Sequence, residues 1–155
     1  MTSIGIRATN NEIYYAVLQK TDEDVYSITS LSYLMIPVSL SFPEKLNFIR
    51  KTFKDIIFEF NINRAGIRIA ESVAQSISIE RISYEAILQE VLSSSSIEKY
   101  MTGQISNISS RLGIPRDNFK KIISGELTHE IFVPKTKYNQ NEKEAILVGL
   151  AALNL

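Results

Sequence analysis

The sequence predicts an α/β fold, with a mixed sheet of about five strands and helices on both of its faces. Two observations lead to this prediction. Three strand-like segments follow one another before any helix, and an amphipathic helix then separates them from a further buried strand. A helical crossover of this kind makes the later strand parallel to one of the first three. With 155 residues and 45% hydrophobic content, a single domain over residues 1–155 can bury a substantial core.

The first three strands are expected at residues 3–8, 12–20 and 25–37. They are rich in β-branched and aromatic residues, and turn-forming residues separate them. Short turns between consecutive strands predict an antiparallel meander. We interpret four tyrosines of this region as packing residues and not as platforms for stacking bases: Tyr14, Tyr15, Tyr26 and Tyr33.

The first helix has consistent start signals and one apolar face. Ser41 is a candidate N-cap with Glu44 three residues later, and Pro43 lies in the first turn. The apolar stripe comprises Leu46, Ile49, Phe53, Ile56, Ile57 and Phe60. Such a face must cover a sheet, so the buried segment at residues 65–70 is expected to be the next strand.

Five further elements are expected in the remaining chain: a helix at about 80–92, a strand at 97–101, and helices at 104–112, at 118–124 and from near Asn141. The helix at 80–92 offers Ile82, Ala86, Leu88 and Val91 or Leu92 for packing. Gly113 is expected to close the helix at 104–112, because Pro115 prevents its continuation. Residues 126–140 are expected to be irregular or to form a short hairpin.

Charge and composition restrict the classes of function. The 17 basic residues balance the 17 acidic ones, so any nucleic-acid surface must be local. Without cysteine the chain has neither disulfides nor thiolate metal ligands. No apolar run reaches the roughly 20 residues of a membrane span, and the N-terminus has neither a basic leader nor an apolar signal core. We therefore expect a soluble cytoplasmic protein with no membrane partner.

Three short segments resemble the RuvC-like branch of the ribonuclease H superfamily. They are Ile4–Arg7 at the end of the first strand, Gly66–Ser72 with its terminal carboxylate, and Glu144–Leu153 in the last helix. The resemblance implies a ribonuclease H-like fold. It also implies four acidic positions that, in the nucleases, bind two Mg²⁺ ions for hydrolysis.

Carried over position by position, the resemblance places Arg7 at the first acidic position and Glu71 at the second. Asn141 and Glu144 stand at the pair on the last helix. A permanently charged guanidinium at the bridging position repels a metal ion. We expect Arg7 to pair instead with Glu71 or Glu144, with both carboxylates converging near it, as a structural salt bridge or an anion site. Replacing Arg7 by Asp is then expected to create a metal response.

Two hypotheses follow from the resemblance. The first is a non-catalytic domain with a degenerate metal site and no cofactor, used for binding or assembly on nucleic acid or a protein partner. The second is a Mg²⁺-dependent endonuclease of the Holliday-junction-resolvase type, with Glu71 and Glu144 as metal ligands. Glu142 would join these two as a catalytic residue if the last helix begins a turn earlier or the alignment slips by two positions. RuvC-like proteins are commonly dimers, so the resemblance also implies a homodimer.

Residues 105–125 support a third hypothesis, a small DNA-binding regulator. The segment contains a helix, a glycine-containing turn and a second helix, with four basic residues for nucleic acid: Arg111, Arg116, Lys120 and Lys121. This pattern is similar to a helix-turn-helix motif. A complete motif needs a third packing helix, and a plain αα-hairpin explains the pattern equally well. His129, the single histidine, has no partner for a metal site and is expected in a loop or at the surface.

Overall fold

The computed structural model describes residues 1–72, 75–76, 78–132 and 137–155. It contains a five-stranded mixed sheet in the order β3-β2-β1-β4-β5. The strands are β1 (Thr2–Ala8), β2 (Glu12–Lys20), β3 (Tyr26–Met35), β4 (Arg64–Arg68) and β5 (Lys99–Gly103). β1 is antiparallel to β2 and parallel to β4, which is the arrangement that the crossover helix predicts.

Helices cover both faces of the sheet, so the predicted α/β fold is confirmed. They are α1 (Phe42–Glu59), α2 (Ile79–Ser93), α3 (Ile105–Leu112), α4 (Arg116–Ser124) and α5 (Gln140–Leu153). α1 and α2 pack on one face around a core that includes Phe53 and Leu88. The other three helices pack on the opposite face, where Phe119 and Leu147 are buried. No helix in the described ranges is long and apolar enough to cross a membrane.

α1 begins and packs as its sequence predicts. The Ser41 backbone N–H donates to Glu44 Oε2 at 2.7 Å, which is half of the predicted capping box. Four residues of the predicted stripe are buried against the sheet: Ile49, Phe53, Ile56 and Ile57. The stripe therefore fixes the rotation of α1 about its axis.

α2 packs with only part of the predicted set: Leu88, Val91 and Leu92 are buried as expected, but the two residues predicted nearer its start are not. Ile82 is 44% exposed and Ala86 is exposed, whereas Tyr84 and Glu85 are buried. Glu85 occupies the packing face because one carboxylate oxygen accepts a hydrogen bond from the backbone N–H of Ala70. A charged residue with internal partners thus takes a place that sequence periodicity assigns to an apolar one.

The second half of the chain departs from prediction mainly at element boundaries. β5 begins at Lys99 and not at Ile97. α4 begins at Arg116, directly after Pro115, because a helix start has no use for the N–H that proline lacks. Between residues 126 and 140 the described residues include a short 3₁₀ helix, Glu130–Phe132. The part of the predicted hairpin at residues 133–136 lies outside the described residues.

α5 lies directly on β1, because glycines let the two backbones approach closely. A Cβ atom added at Gly5 would stand 1.9 Å from the Ala145 carbonyl oxygen and 2.4 Å from the Gly149 nitrogen. The Ser3 hydroxyl also donates to the Gly149 carbonyl at 2.8 Å. This contact places the first turns of α5 over the end of β1, where the candidate site lies.

Candidate functional site

The candidate site forms where β1 and β4 end beneath α5. Arg7 and Arg68 are register partners on these two parallel strands. Because side chains alternate along a strand, Arg7 shares a face with Gly5 and Arg68 shares a face with Gly66. Both glycines contact the backbone of α5. The two guanidinium groups are therefore directed to the same side of the sheet, towards α5.

Glu144 on α5 contacts both arginines. Its Oε2 atom lies 2.6 Å from Arg7 Nε and 3.1 Å from Arg68 Nε. The exposed fraction of the side chain is 12% for Glu144, 13% for Arg7 and 4% for Arg68. Within the described residues none of these three atoms has a well-aligned hydrogen bond. The contact is therefore chiefly an attraction between buried charges.

Glu71 lies on the other side of Arg68. Its Oε1 atom is 3.0 Å from Arg68 Nη2 and accepts a hydrogen bond from the Ile105 backbone N–H at 2.9 Å. Ile105 is the first residue of α3, where a carboxylate is favourable because the free N–H groups carry partial positive charge. Arg68 thus links the two carboxylates, and Glu71 joins the end of β4 to the start of α3.

A further acid–base pair comes from α2. Arg81 Nε donates to Glu85 Oε1 at 2.8 Å, and Glu85 Oε2 accepts from the Ala70 N–H at 3.2 Å. Both charges are close enough to influence the pKa of Arg7. We call these residues the arginine–glutamate cluster: Arg7, Arg68, Arg81, Glu71, Glu85 and Glu144. Its three positive charges balance its three negative charges.

Arg7 keeps its charge inside the cluster. Burial lowers the pKa of Arg7 to about 10, because a charged guanidinium loses hydration there. Glu144 opposes this effect by stabilising the charged form, while the positive charges of Arg81 and Arg68 add to it. A pKa of about 10 leaves Arg7 protonated at neutral pH. Glu144 is therefore held between two cations under physiological conditions.

The residues present do not suit a divalent cation. Mg²⁺ needs several oxygen ligands around one point, yet two guanidinium groups already contact the oxygen of Glu144 that would bind it. Within the described ranges no group of three or more His, Cys, Asp or Glu residues is placed to hold a metal ion. Contrary to the expectation from sequence, Arg7 is not the only cation between the carboxylates, since Arg68 lies between Glu71 and Glu144.

Asn141 and Glu142 have other partners. Glu142 Oε2 accepts from the Asn139 backbone N–H at 2.8 Å, and Asn139 Oδ1 accepts from the Glu142 N–H at 2.9 Å. This reciprocal capping box begins α5, so the Glu142 carboxylate is engaged away from the cluster. Asn141, on α5, lies beside Tyr14, which belongs to β2. A hydrogen bond from Tyr14 to Glu12 raises the pKa of Tyr14, and Asn141 opposes that rise.

α3 and α4 form a hairpin that packs against α5. Gly113 ends α3 in the left-handed conformation, with φ of 69°, and Ile108, Phe119 and Ile122 are buried in the core shared with α5. α5 thus serves as a third packing helix for this hairpin. The four predicted nucleic-acid residues are all exposed, and none of them forms an ion pair in the described part of the chain: Arg111, Arg116, Lys120 and Lys121.

Sequence reasoning missed Arg68, Arg81 and Glu85. Arg68 had a usable signal, because the alternation of β4 puts it on the same face as Gly66. Its place next to Arg7 follows from the parallel register, which only the structure gives. Arg81 and Glu85 are an i, i+4 acid–base pair, which is common on exposed helix faces. Only the three-dimensional packing shows that Glu85 is directed inwards.

His129 lies in a different part of the molecule. Its Nδ1 atom accepts a hydrogen bond from the Ile131 N–H at 3.2 Å, and its ring packs edge-on against Phe132. Burial lowers the pKa of His129, because the protonated imidazole is less well hydrated there. The histidine thus lies in the segment that follows α4, as the loop prediction expected, but it is half-buried and not fully at the surface.

The chain has a RuvC-like, ribonuclease H-like fold, as its similarity to solved structures shows. Among solved structures, the chain is similar to RuvC of Thermus thermophilus, with a TM-score of 0.77 and 8% identity over 99% of this chain and 94% of that chain. It is also similar to the yeast mitochondrial Holliday junction resolvase Ydc2, with a TM-score of 0.63 and 11% identity over 98% of this chain and 77% of that chain.

A fowlpox virus resolvase in complex with Holliday junction DNA is similar as well, with a TM-score of 0.55 and 10% identity over 97% of this chain and 95% of that chain. Neither the protein-family models nor the curated proteins matched the sequence. At these identities the likeness establishes the fold, and it confirms the RuvC-like resemblance that the three sequence segments predicted.

Proposed function

We propose that this chain is a non-catalytic RuvC-like domain with a degenerate metal site, which acts by binding nucleic acid. The observation that carries the proposal is the contact of Glu144 with two guanidinium groups, at 2.6 Å from Arg7 and 3.1 Å from Arg68. A carboxylate that is neutralised in this way has little attraction left for a metal ion. Hydrolysis by metal-activated water therefore has no support at this site.

In this proposal the arginine–glutamate cluster has a structural role. It connects β1, β4 and the first turns of α5 through charge pairs. It reaches α2 and the start of α3 through carboxylates that accept hydrogen bonds from backbone N–H groups. Fixed guanidinium groups hold the carboxylates together. In the nuclease site that this chain resembles, metal ions would do this. The cluster supports the fold near the α3–α4 hairpin without requiring a cofactor.

The nucleic-acid part of the proposal is supported by the exposed basic residues of that hairpin. Arg111, Arg116, Lys120 and Lys121 have no acidic partner within the described residues. In a chain with no net charge, exposed basic residues on one hairpin are the kind of local positive charge that a phosphate backbone requires. The similar structures that contain Holliday junction DNA agree with a nucleic-acid partner.

A specific observation also supports self-association. Three large apolar side chains near the starts of α1 and α2 are exposed: Phe42 at 42%, Ile79 at 78% and Ile82 at 44%. Exposed apolar groups of this kind favour a protein–protein contact, either in a homodimer or with another protein. Sedimentation velocity at micromolar concentrations tests the homodimer, and substituting Ile79 and Ile82 by Glu would then return it to a monomer.

Binding and cleavage of DNA test the main proposal together. The wild-type protein is incubated with labelled four-way-junction, duplex and single-stranded DNA, with and without Mg²⁺ or Mn²⁺. We expect binding without cleavage, and no requirement for metal. The variant Arg116→Gln/Lys120→Gln/Lys121→Gln is expected to weaken binding. The slope of log K against the logarithm of the salt concentration is expected to become less steep by about 3. The matched control is Lys45→Gln/Lys51→Gln/Lys54→Gln on α1, which removes the same charge from the opposite face.

Each alternative function predicts a different result in this experiment. Metal-dependent cutting of the junction by the wild type would contradict the proposal and favour the resolvase, with Glu71 and Glu144 as its metal ligands. Preference for one duplex sequence would favour the small DNA-binding regulator. Failure to bind any of the three DNA forms would contradict the nucleic-acid part.

A further inference from the structure

A cleft of about 520 Å³ lies between the C-terminal end of α4 and the N-terminal end of α5. The residues that matter for its chemistry are Leu127, Thr128, Phe132, Lys137, Tyr138 and Lys143. No member of the arginine–glutamate cluster is among its described lining residues. We call it the α4–α5 cleft.

The described lining residues of the α4–α5 cleft carry positive charge, while the Glu142 carboxylate outside this lining is close enough to influence Tyr138. Within the described part of the chain neither Lys137 nor Lys143 forms an ion pair, and no Asp or Glu lines the cleft. The Lys143 ammonium group reaches towards the end of α4, 3.7 Å from where a side-chain carbon would lie at Gly125. Two cations without acidic partners favour an anionic ligand, since ammonium groups bind phosphate oxygens strongly.

One wall of the cleft is aromatic and apolar. The rings of Phe132 and Tyr138 lie with their centroids 5.4 Å apart and are tilted by 45°, and Leu127 is 43% exposed beside them. Burial and the nearby Glu142 carboxylate raise the pKa of Tyr138, and its hydroxyl, like any phenol at neutral pH, is protonated and can donate a hydrogen bond. An aromatic and apolar wall beside two lysines offers separate contacts for a flat ring and for a phosphate.

We propose that the α4–α5 cleft binds one unpaired nucleotide, with its phosphate at Lys137 and Lys143 and its base against Leu127 and Tyr138. The volume lies in the range of small-molecule sites, and aromatic side chains are the usual platform for single-stranded bases. That the nucleotide belongs to a nucleic-acid strand rests on the proposed function. The binding of a free nucleotide does not, so the two can be tested separately.

The test is a titration of the whole isotope-labelled chain with thymidine monophosphate, monitored by NMR. We expect amide shifts in and around the cleft, at Leu127, Thr128 and residues 137–143. Parallel titrations with inorganic phosphate and with thymidine are expected to bind at least about tenfold more weakly, because each makes only part of the contacts. The variant Lys137→Gln/Lys143→Gln is expected to bind the nucleotide at least about tenfold more weakly.

The matched control is Lys51→Gln/Lys54→Gln on α1, which loses the same charge and is expected to bind the nucleotide like the wild type. Absence of nucleotide-dependent shifts in the cleft would overturn the inference. So would equal affinity for inorganic phosphate, which would make the cleft a simple anion site, or an unchanged affinity in Lys137→Gln/Lys143→Gln. DNA binding without nucleotide-dependent shifts would leave the proposed function intact and overturn this inference. Nucleotide-dependent shifts without DNA binding would support this inference and contradict the nucleic-acid part of the proposed function.

Discussion

At the scale of single residues, Glu144 is the centre of the candidate site. Its carboxylate faces two guanidinium groups, so its charge is satisfied by the protein itself. Buried ion pairs add little net stability relative to apolar packing, but removing one partner leaves an uncompensated charge behind. Removing Glu144 should therefore lower the stability of the fold by more than the small net contribution of the ion pairs suggests.

We expect Glu144→Gln to lower the free energy of unfolding by about 3 kcal/mol, because Arg7 and Arg68 would both lose a buried counter-charge. Urea denaturation measures this loss. Glu90→Gln is the matched control, since Glu90 pairs with Arg50 at the surface, where both side chains are about a third or more exposed. A loss in Glu144→Gln no larger than in Glu90→Gln would show that the cluster is not a structural centre.

His129 gives a prediction for pH. Burial lowers the pKa of His129 in the folded state below its ordinary value of 6.5, so the unfolded chain binds the proton more readily. Its contribution to stability is fully present above about pH 6.5 and is lost as the pH falls towards the folded-state pKa. Comparing the thermal unfolding of the wild type and His129→Gln between pH 7.5 and 5 measures it. An acid-induced loss that is equally large in the variant would assign the effect to other groups.

The sequence predicted which side chains converge here, but it did not predict how they pair. Arg7, Glu71 and Glu144 were identified from three short segments, but the partner of Arg7 stayed open between the two glutamates. The structure pairs Arg7 with Glu144 and assigns Glu71 to Arg68. That choice depends on the register of β1 and β4 and on where α5 crosses them, which are long-range properties that no local pattern contains.

At the scale of elements, the contact between α5 and β1 positions the site. Gly5 and Gly149 bring the backbones together, and the Ser3 hydroxyl fixes the contact by donating to the Gly149 carbonyl. Glu144 reaches Arg7 only because the first turns of α5 rest on this strand. The helix–strand contact and the ionic contact are therefore expected to depend on each other.

Gly5→Ala tests this dependence. The added methyl group would stand 1.9 Å from the Ala145 carbonyl oxygen, so α5 must move, and we expect a loss of about 3 kcal/mol or more. Gly113→Ala is the control, because it has positive φ but nothing within 4 Å of the added carbon; it should cost about 1 kcal/mol. Denaturant unfolding compares them, and equal losses would contradict the close packing of α5 on β1.

The predictability of an element followed the strength of its local signals. α1 combines a capping box, an early proline and one apolar stripe, and these agree with the observed helix. The second half of α2 packs as predicted, but its first half does not, because its apolar residues are spread around the helix and Glu85 takes part in the buried face. Where a buried charged residue replaces an apolar one, the hydrophobic periodicity of a helix no longer predicts which face packs against the core.

At the scale of the whole molecule, the chain keeps the RuvC-like fold while its ionic cluster is neutral in itself. The presence of Arg68 changes the result that we expect from replacing Arg7 alone. From the sequence, Arg7→Asp alone was expected to create a metal response. In the structure Arg68 would still lie between Glu71 and Glu144, and the new carboxylate would gain Arg68 as its partner. We therefore expect that both arginines must be replaced before a cation can bind here.

The most direct measurement is thermal unfolding of three proteins with and without Mg²⁺ at constant ionic strength: the wild type, Arg7→Asp and Arg7→Asp/Arg68→Gln. We predict no Mg²⁺-dependent stabilisation in the first two. The double variant should gain about 1.4 kcal/mol when the free ion is at about ten times its dissociation constant, since the introduced carboxylate, Glu71 and Glu144 would then have no paired guanidinium. Arg81, the remaining arginine of the cluster, is engaged by Glu85. Stabilisation of the wild type by millimolar Mg²⁺, or a folded double variant with no metal response, would contradict the claim that Arg7 and Arg68 occupy the metal site.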